Sequence, residues 1–126
     1  MKLEGLIPVI QCQHIEKTLD FYQQALRYII ISKTETDEGL QWAYIKSDNT
    51  YLMLQKNTCS AEQTHRDNII LHYYTADVTA QHQFMAARGI KVGQLEDTAY
   101  YVRQFYINDP EGNKIAVGQD LKSNPA

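Results

Sequence analysis

The stretch Leu6-Ile7-Pro8-Val9-Ile10-Gln11-Cys12-Gln13-His14-Ile15-Glu16-Lys17-Thr18-Leu19-Asp20-Phe21-Tyr22 sets a strand directly before a helix, and its recurrence decides the fold. Leu6 to Gln13 reads as a strand, with Pro8 near its start, where a missing N–H marks an edge or a beginning. From Ile15 the period lengthens. Ile15, Leu19, Tyr22, Leu26 and Ile29 recur at steps of three and four, an apolar stripe over a helix at 15–27. Tyr28–Thr34 is a β-branched run and reads as a strand. Asp37-Glu38-Gly39 signals a turn, Leu40–Ser47 a third strand, Asp48-Asn49 another turn, and Tyr51–Gln55 a fourth strand. The order is β-α-β-β-β.

After a polar stretch at 57–67 the order returns. Asn68–Thr75 alternates as a strand, and Asp77 is placed to cap a helix over 78–88. The helix carries Val78, His82 and Met85 as its stripe, with Ala86 filling in, and Gly89 stands just past its end. Lys91–Leu95 and Tyr100–Ile107 read as strands, Asp109–Asn113 as a turn, and Lys114–Gly118 as the last strand. Ile15 falls on Val78, Phe21 on Phe84 and Ile7 on Ile70, all 63 apart; Asp48 falls on Asp109 and Gln55 on Ala116, both 61 apart. The expectation is an α+β chain of two tandem βαβββ modules, 5–56 and 68–119. The modules are joined by a linker at 57–67, with a frayed tail at 120–126. Together they would form a single domain with one curved, partly open mixed β-barrel, helices outside and a concave ligand face between the modules.

Composition narrows the function. The 126 residues carry 12 Lys plus Arg against 15 Asp plus Glu, a formal charge of −3, and the basic residues are scattered singly. That excludes a nucleic-acid footprint, which needs a basic face. Cys12 and Cys59 are too few for a disulfide framework and read as reduced thiols. Met1–Gly5 lacks the apolar core of a signal peptide, and no apolar run approaches the ~18 residues of a membrane span. A reducing cytoplasm is the expected address, with no membrane partner. Nine tyrosines stand against three Phe and one Trp. Several lie in alternating segments, and they fit either strand packing or the wall of a ligand pocket.

The histidines and Asp109 are read one by one. His14 precedes the first helix and is more a cap than a base. His65 lies in the polar stretch and His82 on the second helix's stripe. Asp109 is explained by the turn it opens. No Ser-His-Asp or Cys-His arrangement can be argued from spacing, and the glycines stand alone rather than in a phosphate loop.

Ile7-Pro8-Val9-Ile10, then His14 to Tyr22, resembles the opening of the glyoxalase/bleomycin-resistance/dioxygenase group, the vicinal oxygen chelate superfamily. Arg103 to Ile115 resembles that group's closing hairpin. The resemblance covers roughly 5–119. It implies one divalent metal held by residues of the first and last strand of each module, and it places those positions on Ile7, Gln55, Ile70 and Ala116. Only Gln55 has a donor atom, whereas a catalytic metal takes about three protein ligands. His72 lies two residues beyond Ile70, on the same strand face.

The resemblance therefore implies the bleomycin-resistance type: a small-molecule binding protein, catalytic residues and cofactor none, metal none. It would hold a planar or cationic ligand in an aromatic-lined cleft, as an antibiotic-resistance protein does by sequestration, and it would pair as a homodimer. The expected ligand-binding residues are Trp42, Tyr44, Gln55, His72 and Tyr74, together with Arg103 and Phe105, which the repeat sets opposite Trp42 and Tyr44. The alternatives are a metal-dependent lyase, isomerase or dioxygenase of the same superfamily, a metal-free enzyme using His72 or a tyrosine as acid or base, and a non-catalytic interaction scaffold.

Overall fold

A computed structural model describes residues 1–57 and 68–122. Cys59, His65, the expected linker apart from Asn57, and the last four residues lie outside them. The chain divides into two compact units, Met1–Glu62 and Gln63–Ala126.

The first unit runs β1 (Val9–Cys12), α1 (Ile15–Leu26), β2 (Ile29–Thr36), β3 (Gly39–Ser47) and β4 (Thr50–Lys56). Its four strands form a mixed sheet in the order β1-β4-β3-β2, with β1 parallel to β4. The helix returns the chain across the sheet, so the first strand lands beside the last, as a parallel pair requires. α1 packs on β3 and β4. The residues it buries are Ile15, Thr18, Tyr22, Ala25 and Leu26. Leu19 is only half-buried, and Ile29 is exposed in β2 rather than part of the stripe. The reason is local: Arg27 takes a left-handed φ of 59° and ends the helix two residues before Ile29. His14 occupies the N-cap position, but its side chain makes no capping bond.

The second unit runs β5 (Ile70–Tyr74), α2 (Val78–Ala87), β6 (Glu96–Asp97), β7 (Val102–Asn108) and β8 (Lys114–Asp120). The sheet order is β5-β8-β7-β6, with β5 parallel to β8. α2 packs on β7 and β8. The Asp77 carboxylate accepts the Ala80 N–H at 3.0 Å, as a helix cap should. Gly89 adopts the positive φ of a left-handed cap. Val78 and Met85 are buried, His82 is half-buried, and Ala86 faces solvent.

Strand pairing among the described residues gives each unit its own four-stranded mixed sheet, as two tandem βαβββ modules require. One expectation changes here. Lys91–Leu95 is not a strand. Gly93 donates its N–H to the Tyr106 carbonyl at 2.9 Å, but regular pairing begins only at Glu96 and lasts two residues.

The ladders also correct the repeat. Val9 pairs with Met53 and His72 with Ala116, so parallel partners stand 44 residues apart in both units. Helix starts and parallel ladders therefore share the offset of 63, and Gln55 corresponds to Gly118, not Ala116. Between them the offset falls to 62, because Thr34 pairs with Trp42 and Glu96 with Gln104. One residue is lost before β6 and regained in the last hairpin. There Asp109 bonds Asn113 across a three-residue loop, where Ser47 pairs with Thr50 across two.

Candidate functional site

Alternation along a strand sends successive side chains to opposite faces. In the first sheet Ile10, Cys12, Ala43, Ile45, Leu52 and Leu54 are buried on the helix side. The opposite face is built from rows that the register fixes. One row is Gln11, Gln55, Trp42 and Thr34; the next is Val9, Met53, Tyr44 and Ser32; the last is Tyr51, Lys46 and Ile29. This open face is aromatic and polar.

The rings on it are ordered. Trp42 stacks on Tyr44 with centroids 6.4 Å apart and planes 20° apart, and Tyr44 stacks on Tyr51 at 5.8 Å and 24°. Beside Trp42, the Gln11 amide donates from Nε2 to Gln55 Oε1 at 3.1 Å. At the other end the Lys46 ammonium sits 5.6 Å from the Tyr51 ring centre. Lys46 also lines an open depression of about 530 Å³ with Arg27, Ile29, Ser47, Asp48 and Asn49. That volume is in the range of small-molecule sites.

In the second sheet the helix side holds Phe105, Ile107, Ile115 and Val117, all buried. The His82 ring meets Phe105 edge-on at 4.9 Å, and its Nε2–H donates to the Gly93 carbonyl at 2.9 Å. The opposite face carries Ile70, His72 and Tyr74 from β5, Ala116 and Gly118 from β8, and Gln104 and Tyr106 from β7. His72 stacks on Tyr74 at 4.5 Å and 13°. The residue is exposed, yet the partial burial of its ring disfavours the charged form and lowers its pKa below 6.5. Gln104 is buried; it donates to the Tyr106 hydroxyl at 3.0 Å and accepts from the Tyr100 hydroxyl at 3.3 Å.

The structure thus brings Trp42, Tyr44 and Gln55 together on one face, and His72 and Tyr74 on another. It does not bring Arg103 and Phe105 to His72 and Tyr74. Both lie on the helix side of β7, where Phe105 is buried against His82 and Arg103 pairs with Asp97 at 2.7 Å. That pair raises the Arg103 pKa and lowers that of Asp97, through hydrogen bonding first. With the offset of 62, the residues that answer Trp42 and Tyr44 are Gln104 and Tyr106. Sequence reasoning missed these two, along with Gln11, Lys46 and Tyr51. The lengthened loop at Asp109–Asn113 was the signal that could have found Gln104 and Tyr106.

The side chains that the described residues present on these two faces do not make a set of donors for the divalent metal that the fold group implies. The first sheet offers two amides beside Val9 and Met53. The second offers the His72 imidazole beside Ala116 and Gly118. Among the described residues no three His, Cys, Asp or Glu side chains converge. Cys12 is fully buried, its thiol 3.3 Å from the Ile10 carbonyl. Among the described residues no helix is long and apolar enough to cross a membrane.

Comparison with known proteins gives a consistent picture. A family model described as Glyoxalase/Bleomycin resistance protein/Dioxygenase superfamily matches residues 7–117. No curated protein matches. Among solved structures, an antibiotic binding protein from Streptomyces sp. CB03234, TnmS3, superposes with a TM-score of 0.77 at 23% identity, over 95% of this chain and 98% of that one. TioX from Micromonospora sp. ML1 gives 0.77 at 14% identity, over 94% and 99%. A lactoylglutathione lyase from Agrobacterium tumefaciens gives 0.72 at 18%, over 94% and 95%. At these identities the likeness is one of fold.

Proposed function

The chain belongs to the Glyoxalase/Bleomycin resistance protein/Dioxygenase superfamily, and from that premise we propose that it binds a small molecule and holds it without turnover. In this reading the ligand is planar or cationic and lies in an aromatic-lined cleft, with no metal taking part. The carrying observation is the open face of the first sheet, where three stacked rings, Trp42, Tyr44 and Tyr51, run beside the Gln11–Gln55 amide pair. Ring faces offer a flat molecule a large contact at little conformational cost, and the amides supply the few polar groups that orient it. The antibiotic binding protein of the same fold supports the reading. So does a donor set that does not suit a catalytic ion. Homodimerisation and a reducing cytoplasm belong to the same proposal, the second favoured by the buried thiol of Cys12.

The test is a thermal-shift screen of planar and cationic compounds, repeated on Trp42→Ala. Ligands that raise the wild-type Tm should bind the variant at least tenfold more weakly. The variant's own Tm should fall only a few degrees, since Trp42 is half-buried and its ring contact to Tyr44, on the same strand, contributes about 1 kcal/mol. Undiminished binding to the variant would remove the aromatic face from the site.

A further inference from the structure

We propose that the ligand is an aromatic acid, its rings on Trp42, Tyr44 and Tyr51 and its anionic group at Lys46; this rests on the binding reading above and narrows it. The argument is one of local charge. By strand register the open face of the first sheet carries one ionised side chain among the described residues, and it is Lys46. Lys33 and Glu35 pair with each other at 3.0 Å, and the register puts both on the helix side, opposite Ala43 and Leu40. Lys56 is likewise on the helix side, opposite Cys12.

The Tyr51 end of the aromatic row already faces a cation, because the Lys46 ammonium sits 5.6 Å from that ring's centre. A second cation on that stack would face like-charge repulsion. An anion would gain a charge-assisted bond with no competing carboxylate on the face. The depression beside Lys46 keeps the same sign, with Arg27 and Lys46 against Asp48. The second sheet repeats the device less cleanly. Lys114 lies 4.1 Å from the Tyr106 ring centre at the hairpin end, while the register sets Glu96 and Asp120 toward the other end of that face. The net charge of −3 does not decide the matter, because a ligand in contact responds to the charges within about a Debye length, roughly 10 Å.

The test uses three probes with one ring system and three charges: 9-anthracenecarboxylate, 9-anthracenemethanol and 9-anthracenemethylammonium. Their dissociation constants are measured by calorimetry at low salt with the whole chain, with Trp42→Ala and with Lys46→Met, which keeps the length and apolar stem of the lysine. The expected order is carboxylate tightest, by about fivefold over the alcohol, with the ammonium weakest. Lys46→Met should erase the carboxylate's advantage and leave the alcohol's affinity within twofold. Equal or tighter binding of the ammonium probe, or a carboxylate advantage that survives Lys46→Met, overturns the acid preference while leaving the aromatic binding site standing. If none of the three binds, or if binding is indifferent to Trp42→Ala, the binding reading falls and the preference with it.

Discussion

The ring of His72 fills the space that a side chain on Gly118 would need: a Cβ at that glycine would stand 3.0 Å from Nε2 and 2.8 Å from Val102 Cγ1. The His72 ring is exposed and can turn away, but Val102 is buried and has little room to step aside. Gly118→Ala should therefore destabilise the protein by about 1–3 kcal/mol, the usual cost of overpacking. Urea denaturation should show a lower midpoint at unchanged slope. Combining it with His72→Ala should restore only part of the loss, because Val102 remains. An unshifted midpoint would mean the ring and the glycine are not coupled.

His72 also gives a pH dependence with a definite sign. Its folded pKa lies below 6.5, so the unfolded chain binds the proton more readily and stability rises with pH across that interval. The native state should be at full strength above about pH 7 and should weaken as pH falls through the lowered value. Comparing Tm between pH 5 and pH 8 for the wild type and His72→Gln isolates the contribution. The variant should show the shallower dependence, and identical slopes would sink the assignment.

Asp109 closes the last hairpin from a buried position. Oδ1 accepts the backbone N–H groups of Glu111 and Asn113 and Oδ2 accepts the Asn113 amide, all at 2.9 Å. Asp109→Ala removes the acceptor of all three bonds and should cost about 3 kcal/mol. Hydrogen exchange should speed up first at Glu111 and Asn113. Full protection at those amides would show that the loop holds without the carboxylate.

The exposed pair of Asp97 and Arg103 should behave in the opposite way. Asp97→Asn removes the partner that holds the arginine, yet both groups are in water and little of the fold depends on them. No measurable change in Tm is expected above pH 5. What little the lowered Asp97 pKa contributes is present above the ordinary carboxylate range and is lost as pH falls through the lowered value.

Titrating metal-stripped protein with Zn²⁺, Ni²⁺, Mn²⁺ and, anaerobically, Fe²⁺ should give no heat above background. A stoichiometric site with micromolar affinity, about −8 kcal/mol, would restore metal-assisted chemistry as the leading reading.

Much of the fold was legible because local signals agreed with one another. Asp77 and Gly89 bracket α2 as their chemistry dictates, and both helices begin at the equivalent apolar residues Ile15 and Val78. The first sheet's open face was legible too, since Trp42 and Tyr44 alternate cleanly with the buried Ala43 and Ile45. The second was not. Phe105 and Tyr106 are adjacent aromatics on opposite faces, so a period of two cannot choose between them. The choice is made by turn geometry, and a one-residue difference in loop length exchanges every side chain between the faces. Thr18 and Ala25 were passed over in α1 because a small polar or small apolar residue sends no hydrophobic signal, although both are fully buried.

The three-residue loop at 110–112 has a practical meaning for anyone altering this protein. The ladder behaves like a reading frame, and the loop is where the frame is restored after the residue lost ahead of β6. Deleting one residue there would leave the composition of β8 untouched but turn Ile115 and Val117 toward water and Ala116 and Gly118 toward α2. A library that varies loop length would thus sort into soluble and misfolded members by the parity of the change, not by its size.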